Sequence, residues 1–100
     1  MKKDLDPEFY DRAHEHLRVA QEQLTEVPHG EVSASMMYAC ARFNAWLSAS
    51  RRESAKDLKR AYGETIEYFV AQYRKMLVKN LDDFVANFDQ DIKPPADRNS

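Results

Sequence analysis

Between Ser33 and Ser50 the chain reads SASMMYACARFNAWLSAS, a stretch whose only charge is Arg42 in a sequence that is 32% charged. It holds five alanines and neither Gly nor Pro, so its backbone favours a helix. Projected at about 100° per residue, Val32, Met36, Cys40, Phe43, Trp46 and Leu47 gather on one side, with Ala39 among them. Ala34, Tyr38, Ala41 and Ala45 gather on the opposite side. Two narrow polar seams separate them: Ser33, Asn44 and Ser48 on one flank, Ser35 and Arg42 on the other. A surface helix carries one apolar stripe, so a helix apolar on two sides is expected to have protein against both. The alanine side lacks bulk and suits the close approach of another backbone.

The rest of the chain is punctuated for helices. Gly occurs only at 30 and 63 and Pro at 7, 28, 94 and 95, so breakers fall at the start, in one loop and at the end, an all-α pattern. Asp6-Pro7-Glu8 supplies an N-cap, a proline suited to the first helical position and an acid at the positive end of the dipole. Phe9, Ala13, Leu17, Ala20, Leu24 and Val27 follow at helical spacing, and Pro28-His29-Gly30 is expected to end helix one. Helix two is expected over about Ser33 to Ala49. Helix three is expected after Ser50, whose spacing to Glu53 fits a capping box, with Ser54 as a rival N-cap. From Leu58 through Tyr62, Ile66, Tyr73 and Leu77 to Phe88 its apolar stripe drifts around the helix, which argues against a long left-handed coiled coil. Residues 1–89 then form one helical domain, and the acidic, proline-containing residues 90–100 read as a disordered tail.

A helix from Ser54 to Phe88 would be about 50 Å long, whereas a compact domain of this size is only about 35 Å across. Either it bends near Gly63 or its overhang packs on another subunit. A symmetric dimer answers this and the two-sided helix two alike. The expected architecture is therefore an all-α three-helix bundle with a long C-terminal helix, assembled as a homodimer with helix two near the interface.

The net charge of −2 gives no general attraction to nucleic acid or anionic membrane. A lone cysteine, Cys40, makes no internal disulfide. Met1-Lys2-Lys3 runs into Asp4 and Asp6 rather than an apolar segment, so no signal peptide is expected. No apolar run is long enough to span a bilayer, and the expected location is the cytoplasm.

The segments YACARFNAW, IEYFVAQYRKML and NLDDFVANF resemble a small bacterial family known only as a domain of unknown function, number 3144. The resemblance runs from about Pro7 to Asp89. It implies a small bacterial helical protein and brings no catalytic residue, cofactor or substrate with it.

The residues of types that carry chemistry each have a plainer reading. His14 and His16 fall on opposite sides of a helix, Glu26 and His29 lie at a helix end, and Glu64 with Glu67 has no histidine nearby. No metal site and no cofactor is expected. Cys40, on the bulky side of helix two, reads as a small buried hydrophobe. Gly-rich phosphate loops, Gly-x-Ser-x-Gly and Cys-x-x-Cys are absent. Arg42 and Asn44, if buried, need acceptors, with Glu64 or Glu67 as candidates. Their favoured role is fixing helix register; the alternative is a pocket for an anionic ligand formed with Trp46 and the helix-three tyrosines. Tyr38 and Glu67 complete that set of ligand or interface candidates. Tyr62, Tyr68, Phe69 and Tyr73 read as core or interface.

Residues 51–60 hold Arg51, Arg52, Lys56, Lys59 and Arg60 against Glu53 and Asp57, while residues 82–91 hold Asp82, Asp83, Asp89 and Asp91 and no base. A solvated face is the first reading of the basic cluster, self-association the second and nucleic-acid binding the last. The functional expectation is a non-catalytic protein–protein interaction or adaptor module. The alternatives are a small anionic-ligand binder or enzyme at Arg42, and weak nucleic-acid binding through residues 51–60.

Overall fold

In a computed structural model that describes residues 6–92, Asp6 organises the start of the first helix. Its Oδ1 accepts from the Glu8 N–H at 3.0 Å and its carbonyl from the Phe9 N–H at 3.2 Å. Pro7 and Glu8 form a turn, and α1 runs Phe9–Gln23. Arg12 grips the same carboxylate with both guanidinium nitrogens, at 3.2 and 2.8 Å. The hydrogen bond from Arg12 holds the Asp6 carboxyl below its ordinary value. A depressed folded-state value means that the contribution is complete above the unfolded value of about 3.9 and is lost as pH falls through the folded one. Acidification below the carboxylate range is therefore expected to fray the first turn of α1. Amide shifts of Glu8 and Phe9 followed by NMR will check this, with Asp6→Asn removing the dependence.

Helix one ends earlier than its stripe suggests. After Gln23 the backbone tightens through turns, Leu24 N–H sharing the carbonyls of Ala20 and Gln21. Pro28-His29-Gly30 does not terminate α1 but opens the next helix. Pro28 is extended (ψ 147°), and its carbonyl accepts from Glu31 and Val32, so α2 runs His29–Ser50. Proline fits there because the start of a helix has donors to spare and lacks no acceptor. α1 packs against α2, with Ala13, Ala20 and Val27 half-buried and Val32 buried.

Ser54, not Ser50, caps the following helix. Its Oγ accepts from the Asp57 N–H at 3.1 Å, and Asp57 reaches back to the Glu53 N–H at 3.2 Å. Ser50 instead donates its hydroxyl to the Leu47 carbonyl and so belongs to the end of α2. Ser54→Ala is expected to cost about 1 kcal/mol, readable as a lowered urea midpoint.

One long third helix was the expectation; three pieces are present, α3 Ala55–Arg60, α4 Tyr62–Ala86 and α5 Phe88–Asp91. The break comes at Ala61, two positions before Gly63. Ala61 donates to the carbonyls of Asp57 and Leu58 while its own carbonyl accepts from both the amide and the hydroxyl of Thr65. Its φ of −92° and ψ of 4° turn the chain, and it is buried. Gly63 lies within α4, and a Cβ there would meet nothing within 4 Å. α4 stops at Asn87, whose backbone N–H and side-chain amide nitrogen both donate to the Asp83 carbonyl, each at 3.0 Å.

The described chain is thus all-α, with five helices where three were expected, in two compact units divided between Arg51 and Arg52. Residues 90 and 91, expected in a tail, complete α5. The rest of that tail, 93–100, and the N-terminal Met1-Lys2-Lys3 lie outside the described residues. Among the described residues no helix is long and apolar enough to cross a membrane.

Candidate interaction surface

In the first unit, α2 turns most of its apolar side chains outward. Phe43 is 59% exposed, Trp46 61% and Tyr38 68%. The Phe43 and Trp46 rings lie 6.1 Å apart and tilted by 36°, forming one aromatic ledge. Cys40 is exposed, which corrects the expectation of a buried cysteine. Ala34, Ala41 and Ala45 are exposed as well, so the chain itself does not supply the second protein wall that the two-sided pattern calls for.

The polar seams are less polar than their composition. Ser35, Ser48 and Ser50 each donate their hydroxyl to a carbonyl one turn back, at 2.8 to 3.0 Å. A hydroxyl satisfied in this way offers a neighbour little beyond its hydrocarbon side. Asn44 is half-buried and its Nδ2 approaches the Cys40 sulfur at 3.5 Å. Arg42 is exposed and makes no hydrogen bond or ion pair among the described residues. The buried, paired arginine that would fix helix register is therefore absent from the chain.

An open groove of about 300 Å³ lies along the end of α1, lined by Val19, Glu22, Gln23, Glu26 and Val27. Arg42, Asn44, Trp46 and Tyr38 take no part in it. Its charged groups are two carboxylates, the wrong sign for an anionic ligand. Among the described residues no group of three or more His, Cys, Asp or Glu side chains is placed to share a metal ion.

In the second unit, α4 has no buried residue. Tyr62, Tyr68 and Tyr73 are 64%, 59% and 49% exposed, which removes the core half of the core-or-interface reading. Phe69 is half-buried, its ring edge-on to Tyr68 at 5.1 Å. The apolar residues of α4 cover roughly 200° of its circumference at 100° per residue, wider than a single neighbouring helix covers. Glu67 is exposed at the edge of that arc. Asn80 lies inside it and was missed from the sequence; it donates Nδ2 to the Met76 carbonyl at 2.8 Å. The signal was available: a polar residue spaced i+4 from Met76 and i+7 from Tyr73 interrupts the stripe.

Of the basic cluster, Arg52 pairs with Asp57 at 3.6 Å. Lys56, Lys59 and Arg60 share one exposed face of α3 and make no ion pair among the described residues, while Leu58 on the other side is half-buried. Arg51, also exposed, is the last residue of the first unit.

The family model described as "Protein of unknown function (DUF3144)" covers residues 9–85. The chain belongs to the DUF3144 family. The NMR structure of the protein NB7890A from Shewanella sp. is 37% identical to it, with a TM-score of 0.72, over 88% of this chain and 94% of that one. None of the curated proteins matches. Membership in DUF3144 fixes the helical fold and assigns no activity.

Proposed function

We propose that this DUF3144 protein is a non-catalytic interaction module of the cytoplasm whose first partner is a second copy of itself. The observation that carries the reading is burial. Among the described residues only Val32 and Ala61 are buried, while 22 large apolar side chains are exposed. Ordering each residue costs about 1–2 kcal/mol of backbone entropy, and folded chains offset that chiefly by removing apolar surface from water. Two buried residues fall far short of it. Covering the faces of α2 and α4 with a second copy supplies the missing core, as in obligate homodimers, whose interfaces resemble a domain core cut in half.

Sedimentation equilibrium at micromolar concentration is expected to return twice the chain mass of 11.7 kDa. The thermal midpoint is expected to rise by about 3–4 °C per tenfold increase in concentration, the shift for unfolding coupled to dissociation at about 0.7 kcal/mol of enthalpy per residue. A stable monomer with a midpoint independent of concentration overturns the reading.

A further inference from the structure

Resting on that homodimer reading, we infer that the second copy docks antiparallel along α4, the basic end of one chain against the acidic end of the other. The second unit carries an exposed basic face on α3 and a run of acids at the end of α4. At the N-terminal end of α4 stand Lys56, Lys59 and Arg60, on one face of α3 and without ion pairs among the described residues. At its C-terminal end stand Asp82, Asp83 and, in α5, Asp91, with no base anywhere in residues 82–91. The 25 residues of α4 hold these groups about 37 Å apart at 1.5 Å per residue. That distance exceeds the Debye length of about 8 Å at physiological salt, so neither end of one chain relieves the other.

Helix electrostatics make the same demand. The N-terminus of a helix favours acids and its C-terminus favours bases. The bases of α3 suit their own six-residue helix, yet they stand at the positive end of the much longer α4. Asp82 and Asp83 stand at its negative end with no base in the last turn. The first turn of α4 carries Glu64, the sign its dipole favours, so only its C-terminal end is mismatched. An antiparallel neighbour brings the bases of α3 to that end and sets each cluster against opposite charge.

The apolar face of α4, exposed from Tyr62 to Val85, lets a second copy lie along it in this sense. A parallel pair would instead bring base against base and acid against acid. Asp83 lies at the margin of the apolar face, where an interfacial contact forms; Asp82 lies on the outer side and contributes less.

The experiment is a charge swap read by sedimentation or fluorescence dissociation. Two variants are made, Lys59→Glu with Arg60→Glu, and Asp83→Lys with Asp91→Lys. Each turns the two attractive contacts of a two-fold pair into repulsive ones and is expected to weaken self-association by about tenfold or more. Mixed together, the two variants are expected to form a heterodimer tighter than either homodimer, which also shows that both remain competent to fold. Asp83→Asn, which keeps an acceptor for Asn87, is expected to weaken association without reversing partner choice. Raising salt weakens the wild-type dimer and leaves the heterodimer preference the same in sign. A wild-type dimer that ignores salt and both reversals overturns the antiparallel pairing while the homodimer stands. A wild-type monomer overturns both.

Discussion

Replacing Ile66 and Leu77 together by Asp is expected to unfold this protein, abolishing most of its helical circular dichroism at micromolar concentration. In the single chain both side chains are 42% exposed, and a substitution at such a surface position ordinarily changes stability by no more than about 0.5 kcal/mol. In the proposed homodimer they lie in the shared core. Each then forfeits about 1.5–3 kcal/mol of burial, and each carboxylate adds several kcal/mol for entering an apolar site unpaired. A symmetric dimer counts every loss twice. α4 has no buried residue of its own to fall back on, and isolated helices are marginal in water. Dissociation and unfolding should therefore be one event. Lys79→Gln, on the outer side of α4, is the control and is expected to leave both helicity and mass unchanged. A folded monomer from the double variant would show that the exposed face serves something other than the protein's own stability.

Much of the helical content was legible in the residues. Ser54 announces a helix start because a short oxygen-bearing side chain satisfies donors that the helix leaves orphaned, and it does so here; Asp6, the other expected N-cap, instead closes the turn before α1, whose N-cap is Glu8 without a side-chain cap. What the sequence did not reveal was where one apolar stripe changes helix. Between Leu58 and Ile66 the spacing stays helical, yet the chain turns at Ala61, a residue with high helix propensity and no punctuating chemistry. The turn is fixed by burial of a small side chain and by Thr65 bonding back to its carbonyl, a tertiary cause invisible to periodicity. Pro28 shows the converse: proline marks a boundary, but only its extended backbone and its two accepted bonds reveal that it opens α2. The candidate site was legible in part. Arg42 and Asn44 stand out as the informative polar residues of helix two, with Tyr38 and Trp46 as ligand or interface candidates; Asn44 is half-buried and the other three reach solvent. Their exposure removes the buried register pair and makes them features of a surface. Burial depends on what covers a face, and a stripe of apolar residues looks the same in sequence whether its cover comes from its own chain or another.

Phe43→Asp is expected to dissociate the proposed dimer, whereas Ala41→Glu, two positions away on the opposite flank of α2, is expected to change its stability by no more than about 0.5 kcal/mol. Both flanks are exposed in the chain, so exposure alone does not choose between them; the area each can bury does. Aromatic side chains offer about 150–250 Å² each, and Phe43 and Trp46 still expose 59% and 61% of theirs. At about 25 cal/mol per Å², covering the remainder is worth about 3 kcal/mol per ring. A methyl group on Ala34, Ala41 or Ala45 returns a small fraction of that. One two-fold interface therefore gains most by closing over the aromatic ledge and leaving the alanine flank wet, and alanine's small apolar surface makes that inexpensive. Sedimentation of the two variants beside the wild type decides the point. If Ala41→Glu dissociates the protein as severely as Phe43→Asp, the alanine flank is buried too. The helix would then be walled on both sides, and the assembly would need a second interface beyond the two-fold one.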